Sequence, residues 1–145
     1  MKKSGILNAQ LACELAKIRH LDTVMLCDIG FPIPKGANWV DVSLIAGLPN
    51  LQQVLEALLN EMIFEHYTIV SDMEEGNPEA YRYVTQTLAK LPRDEVTFAE
   101  LRERAEDCKL LIRTGEAGRR CNVLLRSASG VRLTNEQFDI TLGAD

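Results

Sequence analysis

The chain has 145 residues, 46% hydrophobic and 26% charged, with a net charge of −5, enough apolar material for one domain with its own core. That acidic balance provides no basic stripe for contacts with phosphates, which sets a nucleic-acid partner aside. No apolar run approaches the roughly 20 residues of a membrane span, and polar residues interrupt every apolar stretch of 1-MKKSGILNAQLACELAKI-18, so a soluble, cytoplasmic protein is expected.

Asn8 is placed to cap a helix whose apolar positions Leu11, Leu15 and Ile18 form one stripe, ending near His20. The continuous apolar run Val24-Met25-Leu26-Cys27 reads as a strand buried on both faces, with Asp28 at its carboxyl end, where ligands bind in open α/β sheets. Pro32 and Pro34 each remove an amide donor and fix φ, so Gly30 to Gly36 is a stiff loop. Trp39 to Leu44 alternates in part and reads as a half-buried strand.

Asn50 caps a helix running to about Met62, with Leu51, Val54, Leu55, Leu58 and Leu59 facing inward. Tyr67 to Val70 is a further strand, followed by the acidic stretch Asp72-Met73-Glu74-Glu75. These acids read as solvated residues complementing a helix dipole rather than as a cation site. Asn77-Pro78 opens a helix to about Leu91, and Thr97 with Glu100 forms a capping box for one over roughly 98–107. Lys109 to Arg113 and Asn122 to Leu125 complete the strands. Beyond about residue 133 periodicity is lost, which suggests a domain over 1–133 and a loose tail over 134–145.

Strands and helices in alternation predict an α/β fold: one three-layer, Rossmann-like domain with a mainly parallel sheet and helices on both faces. Polar residues gather at strand ends, namely Asp28, residues 72–75 and residues 113–122. Adjacent parallel strands would bring His20, Asp28 and the 113–122 loop into one pocket, polar but not strongly charged, suited to a hydroxyl-rich small molecule.

The chain has two histidines and four cysteines. His20 is the candidate acid/base, because an imidazole exchanges protons near neutrality. His66, with no charged constellation evident around it, reads as structural. Cys13, Cys27, Cys108 and Cys121 form no C-x-x-C pair and read as small buried hydrophobes in a reducing compartment. G-x-S-x-G, H-E-x-x-H, P-loop and G-x-G-x-x-G motifs are all missing, so the corresponding hydrolase, zincin and nucleotide chemistries lack their signatures.

Several segments carry a resemblance jointly: 1-MKKSGILNAQLA-12, 19-RHLDTVMLCDIGFPIPKG-36, 41-DVSLIAGLPNLQQVL-55, 60-NEM-62, and 112-IRTGE-116 followed by Cys121-Asn122. In these the chain resembles the D-ribose pyranase and L-fucose mutarotase family, with the ribose branch the nearer. The resemblance implies a cofactor-free isomerase that interconverts cyclic forms of a free monosaccharide, without metal. It also implies a homo-oligomeric ring, commonly a decamer, with sites between neighbouring subunits. By the same resemblance His20 takes the catalytic histidine's place, Asp28 that of a sugar-binding aspartate, and Asn122 that of the asparagine in the C-terminal binding motif.

Three positions depart from the family pattern. Phe98 stands where ribose-type members carry a sugar-binding histidine, the Tyr-x-Asn motif reads Arg120-Cys121-Asn122, and Arg19 replaces a glycine. The first two bear on the substrate, because an apolar ring and a fixed cation replace hydrogen-bonding groups, and the cation suggests an anionic sugar. A non-catalytic sugar-binding module on the same scaffold is the alternative reading.

Overall fold

The computed structural model describes residues 1–130. The expected domain end near 133 and the tail over 134–145 lie outside the described residues. In chain order the elements are α1 (Ala9–Leu15), β1 (Thr23–Cys27), β2 (Trp39–Asp41), α2 (Leu51–Leu59), β3 (Phe64–Val70), α3 (Met73–Gly76), α4 (Pro78–Thr87), β4 (Arg93–Val96), α5 (Phe98–Glu106), β5 (Leu110–Arg113) and β6 (Val123–Ser127).

Local chemistry accounts for where these elements begin and end. The Asn8 side chain accepts from the Leu11 amide at the start of α1, as expected. The helix stops short of His20, and the Arg19 guanidinium turns back to donate to the carbonyls of Ala16 (2.8 Å) and Ile18 (3.1 Å). Arg19 therefore serves the helix end, where a cation also complements the dipole. Asn50 with Gln53, and Thr97 with Glu100, form reciprocal capping boxes on α2 and α5. Trp39 to Leu44 is strand only as far as Asp41, because the Asp41 carboxylate accepts from the amide and hydroxyl of Ser43 and bends the chain away.

Strand β4 is absent from the sequence reading. Its residues Arg93, Asp94 and Glu95 are exposed and only Val96 is buried, so no apolar alternation marks it. As one of the two outer strands of the sheet it carries charges that discourage edge-to-edge pairing.

The six strands lie in the order β2-β5-β1-β6-β3-β4. The β1–β5, β2–β5 and β3–β4 ladders are parallel, whereas β6 pairs antiparallel with both β1 and β3. The sheet is thus mixed and mostly parallel. Among the described residues, strands β1 to β5 share one direction and β6 alone is reversed. Val24, Met25, Leu26 and Cys27 are all fully buried, and since successive strand residues point to opposite faces, both faces of β1 are covered.

The reversal of β6 sorts the chain's chemistry onto two edges of the sheet. One edge carries the residues that follow β1, β3, β4 and β5 together with those that precede β6. The other carries the residues that precede β1 and β3 and those at the end of β6. Truncating fully buried Leu55 to alanine should lower the unfolding free energy by about 2–5 kcal/mol, and Asn50→Ala by about 1 kcal/mol, as read from urea denaturation midpoints.

Candidate active site

Asp28 follows β1 and Asn122 precedes β6, and the Leu26↔Val123 register brings the two together. Asn122 Oδ1 accepts from the Asp28 amide (3.0 Å), and its Nδ2 donates to Asp28 Oδ2 (3.1 Å). Asp28 Oδ1 accepts from the Gly30 amide (3.0 Å). Both side chains are nearly enclosed, Asp28 at 9% and Asn122 at 2% exposure. Burial pushes the Asp28 carboxyl above its ordinary value, opposed by hydrogen bonds from the Gly30 backbone, the Asn122 side chain, and the backbones of Cys121 and Phe31.

This pair forms the floor of a cavity of about 430 Å³, with Phe31 and Phe98 on one side and the 116–120 loop with Asp72 on another. The R-T-G-E motif builds that loop instead of projecting into it. Arg113 donates to Asp41 (2.8 Å) and to the Ile29 carbonyl (3.2 Å), tying β5 to β2 and to the Pro-rich loop. The buried Thr114 hydroxyl donates to the Cys27 carbonyl (2.9 Å). A Cβ on Gly115 would strike the Leu48 carbonyl, so only glycine fits there. Glu116 accepts from the amides of Leu51 (3.1 Å) and Gly118 (2.8 Å), which pins the loop to the start of α2.

Arg120 and Phe98 both reach the cavity. Arg120 has φ 59°, a left-handed conformation unusual for a side-chain-bearing residue, and its Nε donates to Asp72 Oδ2 at 2.9 Å. Its guanidinium lies against Gly76, where any Cβ would collide with it. Phe98 opens α5 with its ring edge-on to Phe31, centroids 5.9 Å apart at 79°, and is 44% exposed. Asp28, Asp72 and Glu116 outweigh Arg119 and Arg120 by one formal negative charge. Asp72 thus pairs with the cation from which the expectation of an anionic sugar arose.

Four sequence expectations need correction here. His20 does not share this cavity within one chain. It precedes β1 while Asp28 follows it, and five strand residues at about 3.3 Å each set the two edges roughly 16 Å apart. The turn bearing His20 is joined to the far end of β6, the Leu21 amide donating to the Ser127 carbonyl (3.0 Å) and the Ser127 amide to that of Asp22 (2.9 Å). Cys121, grouped with the binding residues, is buried and directed away from the cavity. Its sulfur accepts from Asn77 Nδ2 (3.1 Å), and burial raises its thiol to about 12. His66 has charged neighbours after all, with Asp94 Oδ1 at 3.6 Å and Arg104 bonded to the same carboxylate. Of the cysteines, Cys27, Cys108 and Cys121 are buried as expected, whereas Cys13 is exposed on α1, against the expectation. The sequence reading overlooked Phe31 as a cavity residue, its only signal being its place in the motif after Asp28, and included Glu116 only as part of the 113–122 loop.

A single α/β domain with a buried carboxylate–amide pair in a cleft at its strand ends belongs to the class of small-molecule domains that hold a hydrogen-bonding ligand outside a sheet edge. The chain belongs to the RbsD / FucU transport protein family, whose profile matches residues 1–131. It is 41% identical to D-ribose pyranase 1 of Rubrobacter xylanophilus over 126 residues, covering 87% of this chain and 96% of that one. D-ribose pyranase of Geobacillus thermodenitrificans is 36% identical over 127 residues, 88% of this chain and 96% of the relative. Bacillus subtilis RbsD complexed with D-ribose superposes with a TM-score of 0.84 at 32% identity, over 88% of this chain and 98% of that chain. The fucose mutarotase of Streptococcus pneumoniae, solved with L-fucose, shares the fold with a TM-score of 0.70 at 18% identity, over 84% of this chain and 93% of that one.

Asn122→Ala should cost roughly 2–4 kcal/mol in urea unfolding, because it leaves both the buried Asp28 amide and Asp28 Oδ2 without their partner. Ligand affinity, followed by calorimetry, should fall on acidification at a pH above the ordinary aspartate range. The ionised Asp28 is the form that accepts from hydroxyls, and burial raises the pH at which it takes up a proton; Asp28→Asn should flatten that acid limb.

Proposed function

We propose that this chain is a cofactor-free intramolecular isomerase that interconverts the pyranose and furanose forms, or the anomers, of a free neutral monosaccharide of the D-ribose type. The observation that carries this reading is the Asp28–Asn122 pair on the floor of the cleft, in a domain that superposes closely on RbsD bound to D-ribose. A carboxylate and an amide accept from and donate to vicinal hydroxyls, while the Phe31–Phe98 edge offers a surface for a sugar's C–H face. Arg120, neutralised by Asp72, acts as part of the wall and not as an anion receptor. With its charge balanced, Arg120 ceases to favour the non-catalytic alternative.

Ring opening of a hemiacetal requires a proton to leave the anomeric hydroxyl and one to reach the ring oxygen. The open chain then rotates and closes in another form. One imidazole can accept the first proton and deliver the second, and His20 is assigned that role. Its side chain is 48% exposed on the opposite edge of the sheet, so in this reading it serves the cleft of a neighbouring copy. That arrangement calls for a homo-oligomer, taken here to be a decameric ring in the cytoplasm. Exposed Leu44, Ile45, Trp39 and Ile63 supply apolar surface for subunit contacts.

NMR saturation transfer between the ring forms of D-ribose tests the reading. The wild-type protein should accelerate exchange, and His20→Ala should return it to the uncatalysed rate with D-ribose binding retained. Unchanged exchange in His20→Ala, or no acceleration of any neutral pentose or 6-deoxyhexose by the wild type, would overturn it.

A further inference from the structure

The edge of the sheet opposite the cleft holds a second constellation, centred on His20. Its Nε2 lies 3.4 Å from Glu65 Oε2, and Glu65 Oε1 accepts from Arg126 Nε at 2.9 Å. The three residues come from the turn before β1, from β3 and from β6, the last two being neighbouring strands.

Glu65 reaches this place through an irregularity in the sheet. Between β3 and β6 the register runs Phe64↔Ser127 and then His66↔Arg126, two steps on β3 for one on β6, so Glu65 is the extra residue of a β-bulge. Bulges re-aim a side chain at the expense of a ladder pairing. Here the re-aimed group is a carboxylate, held at its far oxygen by Arg126 and leaving its other oxygen to His20.

The turn itself is built to hold the imidazole still. The Asp22 amide donates to the Arg19 carbonyl (3.1 Å), and the Arg19 amide donates back to the Asp22 carboxylate (2.8 Å). Leu21 takes the left-handed conformation at φ 71°, which a side-chain-bearing residue adopts only when its surroundings enforce it. The two backbone hydrogen bonds to Ser127 supply that enforcement.

We infer that Glu65, anchored by Arg126, is the positioning residue of His20: it accepts from Nε2–H and leaves Nδ1 as the atom that exchanges protons with the sugar. This rests on the assignment of His20 as proton shuttle. The physical reason is that a carboxylate only accepts, so the nitrogen facing it must carry hydrogen. In the neutral ring the lone pair is then on Nδ1, and in the imidazolium both nitrogens are protonated. Proton uptake and release therefore occur at Nδ1 without any rearrangement at Nε2, in the manner of a base oriented by a third group.

Nitrogen-15 NMR of the intact, ligand-free assembly at alkaline pH reads the tautomer directly. The chain has only two histidines, so the signals missing from His20→Asn identify those of His20. The expected spectrum has hydrogen on Nε2 and a bare Nδ1; hydrogen on Nδ1 would overturn the inference whatever the kinetics show. For ribose exchange, Glu65→Ala should lower kcat on the order of 10- to 100-fold with KM little changed, the scale seen when an outer-shell orienting partner is removed. Glu65→Gln, whose amide oxygen can still accept from Nε2–H, should recover part of the rate. Full activity in Glu65→Ala would overturn the positioning role while leaving His20 as shuttle, whereas full activity in His20→Ala would overturn the shuttle and leave the tautomer result standing.

Discussion

The reversed strand β6, wedged between β1 and β3, is the constraint on which the rest of this molecule depends. Its amino end meets the carboxyl end of β1, and that meeting makes the Asp28–Asn122 pair. Its carboxyl end meets the turn before β1 and the start of β3, which brings His20, Glu65 and Arg126 together. A parallel β6 would exchange these ends and dissolve both constellations. The antiparallel insertion also keeps the sheet's centre dry, since β1 sits between β5 and β6 with its apolar residues fully enclosed.

Two kinds of electrostatic economy operate at the cleft. Asp28 is buried, which raises its carboxyl, and hydrogen bonds from backbone amides and Asn122 oppose that shift without a cationic partner. Arg120, by contrast, is partly exposed, paired with Asp72, in a left-handed backbone conformation, and its side chain lies against Gly76. A cation acquired at the rim of a sugar site would ordinarily select for acids. Here it is paired with Asp72, and Phe98 against Phe31 forms an apolar side of the same cleft.

Membership of the RbsD / FucU family and the geometry of the single chain bear on the oligomer together. Among the described residues, the cleft is lined by Asp28 and Asn122 without a histidine, and the opposite edge holds His20 beside Glu65. Each edge supplies what the other lacks. Under the proposed function, two copies placing one edge against the other would complete a site, which would be a chemical reason for assembly.

Much of this was legible in the chain alone. The helix starts at Asn8, Asn50, Asn77 and Thr97 follow from side chains that satisfy free amides, and buried strand β1 follows from its unbroken apolar run, because both signals are local. Asp28 and Asn122 were identifiable as site residues through the motifs around them. Strand β4 was not, because an exposed edge strand of charged residues has no period to read. The place of Phe31 in the cavity wall and the turning away of Cys121 depend on loop geometry set by distant partners. Local pattern determined which segments fold and where polar groups collect. Only the tertiary structure decided that β6 runs backwards, and with it that His20 and Asp28 stand at opposite ends of one strand, because strand direction is settled by long-range pairing that no local spacing encodes.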